Sequence, residues 1–348
     1  MLPELRLGMV SAGYEEVREG VNDPELEQKI GLYQNKFDEI RNEIGKVVIG
    51  QHEVVDGLIE ALISNGHALV EGIPGIGKTL LVKTLARITG CAFSRIQFTP
   101  DLLPTDIVGL TTYEEGRGFF TVKGPVFANF VLADEINRSP PKVQSALLES
   151  MQERQATIGK ETFKLPSPFF VMATQNPVEQ LGTYKLPEAQ VDRFLYKLTM
   201  TYPTPEEEIR ILKINITLYD FEDYDLQRVL TPDDIMRVQD FVKKIYLDKK
   251  IENYIINIVE ATRKPAKYDI KLGKYVDFGG SPRSSIALYI ASKAHALLKG
   301  RSYVTANDVK DVAYNCLRHR VLLNFEGEAE GIKTEQIIKE ILDKVPII

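Results

Sequence analysis

Gly72, Pro74, Gly75, Ile76, Gly77, Lys78 and Thr79 fall in a GxxxxGK[ST] pattern between an apolar run ending at Glu71 and a helix-like run that begins at Leu80. Glycines at such steps let successive backbone N–H groups turn inward, so the segment cradles phosphate oxygens at the positive end of the following helix. The pattern therefore predicts a P-loop in which Lys78 reaches the outer phosphates of ATP and the Thr79 hydroxyl sits on Mg²⁺, with Leu80 completing the binding segment. Further along, Phe130-Val-Leu-Ala133 runs into Asp134-Glu135. An apolar strand ending in two acids delivers one carboxylate to the metal's water shell and leaves the next to polarise an attacking water. Asp134 takes the first role and Glu135 the second, at the end of a strand expected to neighbour the phosphate strand.

The elements that must position these residues follow from the hydrophobic pattern. Between residues 50 and 200, short apolar runs alternate with amphipathic helices, which predicts a parallel sheet covered on both faces. Residues 67–71, 130–133, 169–173 and 194–198 read as its strands. After Pro203-Thr204-Pro205 the pattern turns helical, over 206–218, 232–246, 251–262, 282–298 and 306–316. Near the start, Asn22-Asp23-Pro24 signals a helix carrying Leu26, Ile30, Tyr33, Phe37, Ile40 and Ile44 in helical spacing. The expected division is an N-terminal extension at 1–35, partly helical, an ATPase core at 36–202 and an all-helical lid domain at 203–348.

Composition narrows the function classes. A formal charge of −6, from 49 acidic and 43 basic residues, supplies no general field for a phosphate backbone, which makes nucleic acid an unlikely partner. Cys91 and Cys316 belong to no metal-binding spacing, and His52, His67, His295 and His319 stand singly. No apolar run approaches the roughly 20 residues that cross a bilayer, and the first residues lack a signal-peptide layout, so no membrane insertion and a cytoplasmic location are expected.

The stretch from Leu132 to Glu149, with Ala173-Thr-Gln-Asn-Pro177, Leu186-Pro-Glu-Ala-Gln-Val-Asp-Arg-Phe194 and Gly280-Ser-Pro-Arg283, resembles the MoxR AAA+ ATPases. Similarity extends over roughly residues 36 to 348 and weakens over 217–228. The resemblance implies an AAA+ core with a helical lid, ATP hydrolysis, and a ring, six subunits being the family's expectation. It makes Asn176 the sensor of the γ phosphate, Arg193 the arginine finger toward a neighbouring subunit and Arg283 a second sensor in the lid, serving either its own subunit or the next. Val48, Ile49, Gly50 and Gln51 correspond to the segment packed on adenine. Two insertions, 105–123 with Gly116-Arg-Gly118 at its tip and 155–166, resemble hairpins that in the wider subgroup face the ring pore. A partner or client protein, often one with a von Willebrand factor A (VWA) domain, is the implied target. A nucleic-acid translocase and a nucleotide-switched regulatory module remain the alternatives.

Overall fold

The computed structural model describes residues 24–73, 75–116, 118–176, 183–184, 186–214 and 220–347. Pro74, Arg117, Pro177 and the first 23 residues, on which sequence expectations fell, lie outside the described residues.

Helix α1 (Pro24–Gly45) starts with proline in its first turn and buries Ile30, Phe37, Ile40 and Ile44 along one stripe. It crosses the expected division at residue 35 without a break. Helix α2 (His52–Ile63) leads to β1 (Ala68–Glu71), and the phosphate-loop segment then opens α3 (Lys78–Ile88). After β2 (Phe93–Gln97) and the short α4 (Pro104–Val108) come the antiparallel pair β3 (Gly109–Glu114) and β4 (Gly118–Lys123). The chain continues through β5 (Phe130–Asp134), α5 (Pro141–Glu153), a second hairpin of β6 (Gln155–Ile158) and β7 (Glu161–Lys164), β8 (Phe170–Gln175), α6 (Glu188–Val191) and β9 (Tyr196–Thr199).

Five of these strands form one parallel sheet in the order β2-β5-β8-β1-β9. Strand β5 is buried at every position, as expected of a strand covered on both faces. The period-2 alternation of side chains sorts the core into two layers. Val70, Leu132 and Met172 point into one hydrophobic cluster, while Leu69, Val131 and Val171 point into the other. The acid-bearing strand is not the immediate neighbour of the phosphate strand: β8 lies between β5 and β1, so its end is inserted between the phosphate loop and the acids. Strand β2, Phe-Ser-Arg-Ile-Gln, is the element the sequence reading lacks, because an edge strand with one buried residue carries no apolar run.

Beyond Tyr202 the helices are α7 (Pro205–Lys213), α8 (Pro232–Val242), α9 (Lys249–Arg263), α10 (Pro282–Leu298), α11 (Ala306–Leu317), α12 (Phe325–Ala329) and α13 (Thr334–Lys344). Their starts are set by local chemistry: Thr204 with Glu207, Thr231 with Asp234 and Thr305 with Asp308 form reciprocal capping boxes. A short antiparallel ribbon of β10 (Val276–Phe278) and β11 (Leu322–Leu323) departs from the all-helical lid expected of this region. Ile235, Leu288, Val312 and Ile341 share a single hydrophobic cluster with α1, α2, α3 and one face of the sheet. A buried polar joint pins the two parts together: Glu60 of α2 accepts a hydrogen bond from Tyr196 Oη of β9 at 2.9 Å and lies 2.6 Å from His295 Nδ1 of α10. No helix among the described residues is long and apolar enough to cross a membrane.

Candidate functional site

The ends of β1, β5 and β8 open onto a cavity of about 710 Å³ lined by Gly75, Ile76, Gly77, Lys78, Thr79, Leu80, Asp134, Glu135 and Asn176. Ligands of parallel sheets bind beyond the carboxyl ends of the strands, where the loops are free to vary. Gly75 and Gly77 sit at φ of 82° and 86°, and a Cβ at either would meet nothing within 4 Å. Backbone angle, not space, is what demands glycine there. Gly72 is the opposite case, since a Cβ would fall 2.7 Å from Ile76 Cδ1 and 3.2 Å from the Met200 carbonyl. Lys78 Nζ donates to the Gly72 carbonyl at 2.6 Å, folding the lysine back over the loop. Burial lowers the Lys78 pKa, and the charges of Asp134 and Glu135 work against that shift.

The two acids are tied to one hydroxyl. Thr174 Oγ1 donates to Asp134 Oδ1 at 2.7 Å and accepts from the Glu135 backbone N–H at 2.8 Å. Glu135 adopts φ of 55°, a left-handed turn that aims its side chain differently from Asp134 directly before it. Two residues of β2 that sequence reasoning missed complete the arrangement. Arg95 donates to Asp134 Oδ2 from Nη2 at 2.6 Å and from Nε at 3.1 Å. Gln97 Nε2 donates to Glu135 Oε2 at 3.0 Å, and Arg138 Nη1 donates to the same oxygen at 2.8 Å. The spacing of residues 95 and 97 at period 2 was the available signal, but only pairing of β2 with β5 reveals what they face.

The other end of the cavity is apolar. Val47, Val48, Ile49, Pro203, Ile211 and Ile214 line it, together with Phe221 and Tyr224. Gln51 lines it as well, at φ of 57°, with Nε2 donating to the Thr201 carbonyl at 2.7 Å. Gly50 stands behind this wall at φ of 71°, where a Cβ would fall 2.4 Å from the Glu207 carboxylate. The donor set fits a nucleoside triphosphate with its divalent cation: an ammonium and glycine amides for phosphate, hydroxyl and carboxylate oxygens of Thr79 and Asp134 for a hard metal ion, and an apolar slot for a base.

Arg193 and Arg283 do not line this cavity. Arg283 Nη1 lies 3.9 Å from Asp192 Oδ2, and its Nη2 donates to Gln152 Oε1 at 3.3 Å. The packing of α10 thus places Arg283 against Asp192, the residue that precedes Arg193 in the chain. The half-buried Arg193 has its Nε buried without a hydrogen-bond partner among the described residues. A third arginine, Arg320, underlies both. It donates to Asp192 Oδ1 at 2.7 Å and to the carbonyls of Asp192, Phe194, Leu195 and Cys316.

Both insertions are hairpins. At the end of the first, Tyr113 and Phe119 pair edge to face with centroids 5.2 Å apart, and both are largely exposed. The two hairpins touch, since a Cβ on Gly159 would lie 3.0 Å from Thr111 Oγ1.

Residues 67–196 match the ATPase family associated with various cellular activities (AAA), and residues 273–341 match the AAA lid domain. Chaperone MoxR1 of Mycobacterium tuberculosis is 46% identical over 88% of this chain and 80% of its own length. The uncharacterized protein YeaC of Bacillus subtilis is 45% identical over 87% of this chain and 93% of its own. The crystal structure of a protein assigned as an ATPase from Cytophaga hutchinsonii superposes with a TM-score of 0.86 at 48% identity, covering 92% of this chain and 97% of that one.

Proposed function

The chain belongs to the MoxR family of AAA+ ATPases, and from that premise we propose that it hydrolyses Mg-ATP between subunits of a ring and uses the cycle to remodel or mature a partner protein. The observation that carries this reading is the division of labour across the molecule. One face holds the glycine-rich loop, two acids and Asn176 around a cavity, while neither Arg193 nor Arg283 lines it and Arg283 lies against Asp192 instead. A cavity with no finger of its own is completed by a neighbour that presents one, and head-to-tail contacts of this kind close into rings.

In the proposed reaction Lys78 and the loop amides hold the outer phosphates, and Asn176 contacts the γ phosphate or orients the water. Glu135 accepts a hydrogen bond from that water and polarises it for in-line attack. Thr79 and Asp134 would hold the magnesium ion, which neutralises phosphate charge when bound. The neighbour's Arg193 stabilises charge on the transferring group, and Arg283, held against Asp192 and outside the cavity of its own chain, acts on the same neighbouring nucleotide. Hexameric assembly and a VWA-domain partner are the family's expectations, and MoxR1 is by its name a chaperone. The exposed Tyr113–Phe119 pair offers a client an apolar grip on a polar hairpin. The setting proposed for this work is the cytoplasm.

A Glu135→Gln variant tests the proposal. It should bind Mg-ATP as tightly as the wild type, turn over at least about 100-fold more slowly, and retain a client protein through purification. Equal slow turnover by both forms, with nucleotide still changing assembly, would replace the motor with a nucleotide-switched module. Turnover stimulated only by nucleic acid, and falling steeply with salt, would favour a translocase.

A further inference from the structure

The segment after α7 lies outside the residues matched by the two family models, 67–196 and 273–341, yet it supplies part of the cavity wall. Residues Phe221–Tyr224 form a single 3₁₀ turn closed by its own ends, with the Asp220 N–H donating to Asp223 Oδ2 at 2.7 Å. The turn is fastened on two further sides. Gln227 N–H donates to Glu43 Oε2 of α1 at 2.9 Å, and Val229 N–H donates to the Ile88 carbonyl at the end of α3 at 2.7 Å. Its two aromatic rings lie 6.5 Å apart, and Tyr224 Oη donates to the Ile214 carbonyl at 2.6 Å, which fixes that ring. The Lys83 ammonium lies 4.0 Å above the centroid of Phe221. Lys83 belongs to α3, the helix that begins at the phosphate-binding Lys78, and it also lines the cavity.

On the reading of this cavity as a nucleotide site, we propose that Phe221 and Tyr224, with Lys83 laid over Phe221, form the specificity-determining wall for the base and sugar of the nucleotide. Among the described residues, the remaining lining of this end is apolar apart from Gln51, whose Nε2 already donates to the Thr201 carbonyl. Recognition there depends on aromatic packing and on one cation whose position the ring fixes. Lys83 is a positioning residue: it orients the sugar–base end and leaves the phosphates to Lys78. The same contact ties α3, which receives the phosphates, to the turn that leads into α8, so base and phosphate are read by one mechanically joined unit.

The test compares Mg-ATP with Mg-tripolyphosphate, which shares the phosphates and lacks base and sugar, on the full chain by equilibrium titration. Phe221→Ala should weaken Mg-ATP about tenfold and leave tripolyphosphate unchanged. Lys83→Met keeps the aliphatic stem and should weaken Mg-ATP several-fold, again without effect on tripolyphosphate. Phe221→Leu serves if the alanine variant fails to fold. Unchanged ATP affinity, or parallel losses for both ligands, overturns the wall; a parallel loss in Lys83→Met makes that lysine a phosphate ligand instead. Lys78→Ala run alongside should lose both ligands. A wild type that takes up neither brings down the nucleotide reading and this wall with it, whereas a wild type that binds both, with neutral wall variants, brings down only the wall.

Discussion

The cavity and the arginine face both pair guanidinium groups with carboxylates, but they do so at opposite depths. At the cavity the Arg95 and Arg138 side chains are 48% and 46% exposed, and they pair with Asp134 and Glu135, the acids proposed for the chemistry. At the other face the Arg320 side chain is 3% exposed and donates to five acceptors across Asp192–Leu195 and Cys316. Exposed ion pairs are worth little and rearrange readily, whereas breaking a buried pair strands a charge. Burial therefore separates Arg95, Arg138 and Arg283, which are free to rearrange, from Arg320, which is not. Arg320 braces the turn that enters β9, and the half-exposed Arg283 reaches the same Asp192 from outside.

The sharpest break of this comparison would come from Arg193. Replacement by alanine should cost about 10³-fold in turnover while nucleotide affinity is kept, because the proposed finger acts on charge that develops in the reaction. Mixing Arg193→Ala subunits with Glu135→Gln subunits should restore part of the turnover, since some junctions then join an intact acid to an intact finger. Mixtures as dead as their components would show that the finger acts within its own chain.

Arg320→Ala should instead act on stability, lowering it by about 3 kcal/mol through the lost partner of Asp192 Oδ1 and of the buried carbonyls, with Ser281 left on Asp192 Oδ2. Arg320→Lys should recover only part of this, because an ammonium cannot span acceptors arranged for a planar fork. A denaturant midpoint close to wild type in the alanine variant would mean that the brace is ornamental.

At the cavity end the expectation is smaller. Arg95→Gln should change stability by less than about 1 kcal/mol, as suits a half-exposed pair. It should lower the magnesium concentration for half-maximal turnover, because Arg95 and the metal ion seek the same Asp134 carboxylate. An unchanged magnesium requirement would detach Arg95 from the metal.

What was legible in the sequence is what chemistry requires to be local. The phosphate loop needs its glycines, lysine and threonine in consecutive order, and the acids need a buried strand directly before them, so 72–79 and 130–135 announce themselves. Asn176 and Arg193 carried no such local signal and came from family resemblance. Arg95 and Gln97 stayed hidden because β2 is a polar edge strand whose meaning arises only on pairing with β5. Arg320 stayed hidden for a related reason: its carboxylate partner is Asp192, 128 residues earlier, and no spacing rule reaches that far. The position of Arg283 depends on how α10 packs, which no single segment encodes.

The smallest expected effect concerns the joint between the sheet and the lid helices, where His295 lies against Glu60. Burial pulls the His295 pKa down, but the hydrogen bond and charge of Glu60, aided by Asp308, outweigh it and raise the pKa above the ordinary 6.5. Asp311 Oδ2 lies 3.4 Å from His295 Nε2, Tyr196 shares Glu60, Lys299 opposes the shift, and Arg301 occupies Asp308 from the other side. A proton held more tightly in the folded chain stabilises it fully below pH 6.5, and that contribution disappears as pH rises through the raised value. His67 and His319 act with the opposite sign: burial, with Arg154 beside the first and Arg320 beside the second, holds both well below 6.5. Only the unfolded chain protonates them, so they cost stability as pH falls. The wild-type profile is the sum of these trends, and subtraction isolates His295. The gap in melting temperature between wild type and His295→Gln should be widest below pH 6.5 and narrow as pH rises through the raised value. A gap that stays constant across that range would mean that the joint is held by packing and a neutral imidazole, not by an ion pair.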